Sequence, residues 1–526
     1  MNLLWALLLG AAVLTGLLIW LMSSGSSSRT VNPDTLIVYA AAGMRVPVEE
    51  IAQQYEEEYG VTLEIQYNGS NTLLNQLQTD KFNQADVYLA ADDFYTDKAV
   101  GLGLAIDTMP LAHQYPVVAV RKDSAKKIAT LDDLLRDDVR VAIANPDQAA
   151  VGKATRRQLS ALTVGGSNRW EQLEQHVTKS GVFKPTVNDI ATDVKIGTID
   201  AAILWNSTVA MPRYKEDLVG IDLSELAGAH DLISVAVLQS STDLPSAYRF
   251  ARFVAARDKG LKIFAKYGTE PVDGDVWQEQ PEVNFFCGAV NRRTTEQIVE
   301  EFQAQEGVVV NTIYDGCGIL TSRMKGIEEQ SQAQGFPDVY MACDLHYLEN
   351  VRDWFQESAN VSDVELVMVV PKGSTKVESL SDLIKPEIRV AVGEPSQCTI
   401  GVLTRRMLQE EGLYDDFVQK QQGDKVMVIE KSSSAHLVPD VVTGHVDAAI
   451  AYHSDVLPNA DEVDVIHIQS PLNLAIQPIS IAKTSEHKYL LRRLFKRIRN
   501  SPEAFESAGF HFRLGESSDP AESPVQ

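Results

Sequence analysis

DVKIGTIDAAILWNSTV at residues 193–209 reappears as DVVTGHVDAAIAYHSDV at 440–456, an offset of 247 residues. Working outward at that offset, EYGVTLEIQYNGSNTLL (58–74) falls on QEGVVVNTIYDGCGILT (305–321). Between these blocks, LDDLLRDDVRVAIANPDQAAVGKATRRQL (131–159) matches LSDLIKPEIRVAVGEPSQCTIGVLTRRML (380–408). Three ordered blocks of this length mark a duplication. Short β-branched runs alternate with helical patterns in each copy: LIVYAA (36–41), then VEEIAQQYEEEYG (48–60), then VTLEIQY (61–67), with ADVYLAA (85–91), YPVVAVR (115–121), VRVAIANP (139–146) and AAILW (201–205) as further strands. Strands separated by helices predict βαβ units and a parallel sheet, hence an α/β fold. Ligands of such sheets sit beyond the carboxyl ends of the strands, beside helix N-termini.

The duplication divides the 526 residues. We expect a first module at 35–272, a polar, proline-bearing linker at 273–282, a second module at 283–512 and an acidic, Ser/Pro-rich disordered tail at 513–526. Residues 1–22 are apolar and carry no charge, long enough to span a bilayer as a helix. A cleaved signal peptide competes, but the run lacks a basic start and a clear cleavage site. Residues 23–34 include SSGSSS and read as a linker. With 44% hydrophobic residues the chain can fill ordinary cores, and a net charge of −25 argues against nucleic acid or anionic lipid as partners. A small anion is not excluded, because backbone N–H groups at helix N-termini can hold one whatever the overall charge.

Loops of small and polar residues follow the strands: AAAGMR (40–45), NGSN (68–71), AADD (90–93), NPDQAAVGKATRR (145–157) and WNS (205–207). Taken in order, these loops resemble the periplasmic molybdate/tungstate-binding proteins of ABC importers. The resemblance covers nearly all of 35–272 and, more loosely, 283–512. It implies two tandem periplasmic-binding-protein-like modules, each of two α/β lobes around a cleft, after an N-terminal transmembrane helix. It implies hinge closure around a small tetrahedral oxyanion, an ABC permease or membrane sensor as partner, and an extracytoplasmic (periplasmic) location at the cell membrane. Carried over, the ligand loops lie at Gly43, Ser70, Ala91, Val151, Ile190 and Trp205. Gly43 and Ala91 would act through backbone N–H, Ser70 through its hydroxyl, and Val151 and Ile190 through backbone. Trp205 stands where the family usually has tyrosine, and Gly43 where it usually has serine. Crossing segments between lobes are expected near 115–121 and 234–239, with counterparts near 365–371 and 477–482.

The four cysteines all fall in the second copy. Superposed, Cys317 lies on Ser70, Cys343 on Ala91, Cys287 on Ala40 and Cys398 on Ala149, each in a segment expected to face the cleft; Tyr452 replaces Trp205. Three readings stay open: two structural disulfides, a Zn or Cu site on Cys287, Cys317, Cys343 and Cys398, or a redox-responsive cleft. An enzyme pairing Cys317 or Cys343 with His436 or His453 is a further alternative. No G-x-S-x-G, H-E-x-x-H, Walker A or dinucleotide fingerprint occurs, so a non-catalytic binder is expected.

Overall fold

The computed structural model describes residues 35–79, 85–124, 126–329 and 335–514. The expected anchor, its linker and nearly all of the tail lie outside these residues. No helix among the described residues is long and apolar enough to cross a membrane.

The first module opens with the strand Thr35–Ala41, whose partners on either side are Thr62–Asn68 and Val87–Ala90, both parallel to it. The intervening helix Arg45–Tyr59 buries Val48, Ile51, Ala52 and Tyr55, a stripe at helical spacing against the sheet. Gly60 ends it in a left-handed conformation (φ 67°), as Gly307 (φ 65°) ends the equivalent helix Arg292–Glu306. The six-stranded sheet runs Glu270–Pro271, Ala105–Gln114, Asp231–Leu238, Val87–Ala90, Thr35–Ala41, Thr62–Asn68. Strands Ala105–Gln114 and Asp231–Leu238 pair antiparallel, so the sheet is mixed, not parallel as the βαβ pattern suggested. The reason is the path of the chain. It leaves the lobe along one strand and re-enters along its neighbour, with no crossover helix between them to set a parallel direction.

The second lobe is a five-stranded sheet ordered Leu218–Ile221, Pro116–Arg121, Ala201–Trp205, Val141–Ala144, Val182–Lys184. The chain passes between lobes at Tyr115, whose N–H donates to Asn206 Oδ1 (3.1 Å) and whose carbonyl accepts from Asn206 N–H (3.0 Å). It returns through residues 222–230. The expected return crossing at 234–239 is instead mostly strand within the first lobe.

The second module repeats this register. Cys287 pairs with Tyr314 as Ala40 pairs with Tyr67. Its crossing strand, Phe355–Pro371, is unbroken for 17 residues and joins both lobes into one ten-stranded sheet. Glu365 pairs with Leu474 of the first lobe and Leu366 with Tyr452 of the second, which puts the lobe boundary between them. The return lies at 468–473, ahead of the expected 477–482, because Leu474–Ala482 is a strand of the first lobe.

Candidate functional site

Every first-lobe loop around the first cleft ends a strand and starts a helix. Ala42–Met44 form a tight turn before Arg45–Tyr59, Ser70 opens the helix Ser70–Thr79, and Asp92 caps Asp93–Gly101 by accepting from Phe94 N–H at 2.9 Å. From the second lobe, Ala150–Ser160 and Val187–Ile196 point their first turns at the same gap. Helix N-termini carry N–H groups without intrahelical partners and the positive end of the helix dipole.

Ser70 and Ala91, 21 residues apart, meet here: Ala91 N–H donates to Ser70 Oγ at 3.2 Å, both residues being buried. Gln114 holds the loop by donating to the Ala91 carbonyl (2.8 Å) and in turn accepts from Ser207 (3.0 Å). Val151 is the second residue of its helix, so its N–H lacks an intrahelical partner. Gly43 sits in the turn opposite, where a Cβ would stand 3.3 Å from Val187 Cγ2. Trp205 is buried at the end of its strand. Ile190 departs from expectation: it is fully buried in the second turn of Val187–Ile196, with its N–H turned to the Thr186 carbonyl. Its side chain is core, and Asn188, two residues nearer the helix start, is the one that reaches across the cleft.

The lobes touch across this cleft. Asn71 Nδ2 donates to the Asp147 carbonyl and Asn188 Nδ2 to the Ala42 carbonyl, each at 3.1 Å. Lys153 Nζ lies 3.4 Å from Asp92 Oδ2 and 3.0 Å above the Phe94 ring. Arg157 pairs with Asp231 at 2.6 Å. Backbone approaches so closely that a Cβ on Gly69 would lie 2.7 Å from the Gln148 carbonyl oxygen. Sequence reading missed Asn71, Lys153, Arg157, Asn188 and Asp231 as bridges. Only the placement of Asn71 inside NGSN and of the two cations inside NPDQAAVGKATRR offered a signal. Burial and the neighbouring Asp92 charge push the Asp231 carboxyl up to about 7, outweighing the Arg157 guanidinium.

The second cleft is built alike, with a small cavity lined by Ala289, Val290, Gly316, Cys343, Cys398, Thr399, Ile400, Ser433, Ser434 and Tyr452. Cys343 N–H donates to Cys317 Sγ at 3.0 Å, as Ala91 donates to Ser70, and the two sulfurs are 2.6 Å apart. The other two thiols go elsewhere. Cys287 lies within the strand Glu282–Gly288, with Sγ 3.8 Å from Thr295 Oγ1, so it faces the covering helix instead of the cleft. Successive strand residues point to opposite faces, which places Gly288, not Cys287, against the Cys317–Cys343 pair. Cys398 Sγ donates to the carbonyls of Glu394 (3.6 Å) and Lys431 (3.5 Å). The four thiols therefore do not converge on one centre, and among the described residues no three His, Cys, Asp or Glu side chains are placed to hold a metal. None of the four thiols is hydrogen-bonded to a histidine: of the two candidates, His436 is exposed and His453 stacks on His467. Burial pushes the Cys398 thiol up to about 11 and raises Cys287 too. Burial opposes ionisation of Cys317 as well, but hydrogen bonds from the Cys343 thiol and amide win and hold it below the ordinary thiol value. Donating to Cys317, together with burial, drives Cys343 well upward.

Residues 36–270 and 283–511 each match the profile of the family described as bacterial extracellular solute-binding protein. A Haemophilus influenzae protein named as a binding protein is 26% identical over 242 residues, 46% of this chain and 93% of that one. The molybdate-binding protein ModA of Mycobacterium bovis is 26% identical over 214 residues, 39% of this chain and 75% of its own. Among solved structures, the Azotobacter vinelandii periplasmic molybdate-binding protein aligns with 44% of this chain and 98% of its own length, at 17% identity and a TM-score of 0.38.

Proposed function

The chain belongs to the bacterial extracellular solute-binding protein family, and from that premise we propose that its first module captures a small tetrahedral oxyanion of the molybdate or tungstate type by closing its lobes. The family is one of solute-binding transport proteins, and here the captured anion passes to an ABC permease on the extracytoplasmic face. The observation that carries this reading is the meeting of Ser70 Oγ with Ala91 N–H at 3.2 Å, at the mouth of the helix Ser70–Thr79. An oxyanion oxygen entering there takes the Ala91 N–H and lets the Ser70 hydroxyl rotate to donate. Gly43 backbone and the first turn of Ala150–Ser160 supply donors from two other sides. All these donors are neutral, so the site reads an anion by N–H and O–H geometry. The overall charge of −25 then does not decide affinity.

Isothermal titration of molybdate into the full chain, with sulfate as control, tests the reading. Heat of binding that sulfate does not reproduce is expected. Ser70→Ala should weaken it by about ten- to a hundredfold, the effect of losing one hydrogen bond of roughly 1.5–3 kcal/mol to a charged ligand. Absence of heat with both molybdate and tungstate, or a Ser70→Ala variant that binds as the parent does, would sink the assignment.

A further inference from the structure

The second cleft copies the hydrogen-bonding frame of the first while exchanging its oxygen and methyl groups for sulfur. Cys317 stands at the start of the helix Cys317–Glu329 in the place of Ser70, and Cys343 in the place of Ala91. The neighbourhood has changed to suit. Gly288 occupies the position of Ala41, and a Cβ there would fall on Cys343 Sγ and within 2.7 Å of Cys317 Sγ. Loss of that one methyl clears room for two sulfurs, which then lie 2.6 Å apart. Two further observations concern access. Cys317 is wholly buried, and the opposing lobe is what covers it: Gln397 and Ser396 carbonyls press on Gly316 and Gly318, the residues flanking it. Tyr452 Oη is buried beside the same cavity without a hydrogen-bond partner, and Thr399 of the opposing lobe faces the two sulfurs.

We propose that Cys317 and Cys343 are a redox-active dithiol, oxidised to an intramolecular disulfide by a low-molecular-weight disulfide that reaches them when the second cleft opens. The Cys317 thiolate attacks one sulfur of the oxidant. The oxidant's S–S bond breaks and one thiolate departs. Cys343 gives its proton to that thiolate and attacks the Cys317 sulfur of the mixed disulfide, expelling the second thiolate, which takes up from solvent the proton that Cys317 released on ionising. Two protein thiols become one disulfide, and the oxidant leaves as two thiols carrying the two electrons. The downward shift of Cys317 and upward shift of Cys343 fit this division between attacking and resolving sulfur. Both cysteines belong to the same lobe, so the bond ties the start of Cys317–Glu329 to the loop after Val339–Met341 and leaves the hinge free. Oxidation thus alters the floor of the cleft without locking its motion. None of this requires an oxyanion in the first module.

The test uses the full chain, oxidised glutathione as the probe, and peptide mapping after alkylation in denaturant. Alkylatable thiols should fall from the four of the sequence to two, with the only cross-linked peptides joining Cys317 to Cys343. Cys343→Ala restores the residue of the first module and so should fold; it should keep a glutathione adduct on Cys317. Retention of all four thiols, a link involving Cys287 or Cys398, or a Cys343→Ala variant that gains no adduct would each overturn the proposal.

Discussion

At the residue scale, Asp231 ties the stability of the fold to pH. Its carboxyl lies 2.6 Å from Arg157 of the opposite lobe, yet burial and Asp92 push it up to about 7. A carboxyl whose value is raised on folding takes up a proton as the chain folds. Its contribution to stability is therefore fully present below the ordinary value of 3.8 and is lost as pH climbs through 7. Stability measured by urea denaturation from pH 5.5 to 8.5 should fall across that window, and Asp231→Asn should flatten the profile. A parent stability that rises with pH there would contradict this account. Cys287 carries a different lesson at the same scale. Its place in FFCG suggested a loop thiol, but strand alternation turned it toward Thr295. Sequence spacing names the position, and only the pleat decides the face.

At the scale of elements, the helix Ala150–Ser160 and its counterpart Thr399–Glu410 dock their first turns on the ends of the strands before them. The contact needs glycine in both copies. A Cβ on Gly152 would run into the Ala144 carbonyl, and one on Gly401 into that of Gly393. Neither has a positive φ, so the constraint is close approach of backbone, not conformational freedom. Gly152→Ala should cost about 1–3 kcal/mol through overpacking. It should also shift the Val151 N–H away from the cleft, so that urea denaturation and molybdate titration change together. A variant with parent stability and parent affinity would refute the close-packing argument. The crossing strands differ more between copies than the helices do. The first breaks at Tyr115, whereas Phe355–Pro371 runs through both lobes. A local residue marks that difference: the first copy has Pro116, without an N–H for the ladder, where the second has Leu366.

At the scale of the whole molecule, the two modules are joined by more than the connecting segment. Asp275, within the expected linker, caps the helix Lys488–Arg499 by accepting from Tyr489 and Leu490 N–H, each at 2.9 Å. Lys496 and Arg497 of that helix reach across to Asp107 at 2.7 and 3.1 Å, and Tyr248 donates to the same carboxylate. Glu306 is fully buried between Arg493 (2.6 Å) and Arg252 of the first module (3.5 Å). Removing its charge strands two buried guanidinium groups, so Glu306→Gln should destabilise by about 3–5 kcal/mol. Asp137→Asn, at the exposed Lys179 pair, should stay within about 0.5 kcal/mol. Calorimetry should show the modules of Glu306→Gln melting separately; a parent-like single transition would mean the triad does not couple them.

The sequence by itself determined the duplication, the α/β class, the order of strand-end loops and the coincidence of Cys317 with Ser70. These follow from local periodicity and from matching residues at a fixed offset. Tertiary structure alone decided the mixed sheet, the place of the return crossings, the demotion of Ile190 to core, the contact between Cys317 and Cys343 and the isolation of Cys287 and Cys398. Those depend on which face a side chain takes and on what the other lobe brings to it. Both are set by packing between segments far apart in the chain, which local pattern does not encode.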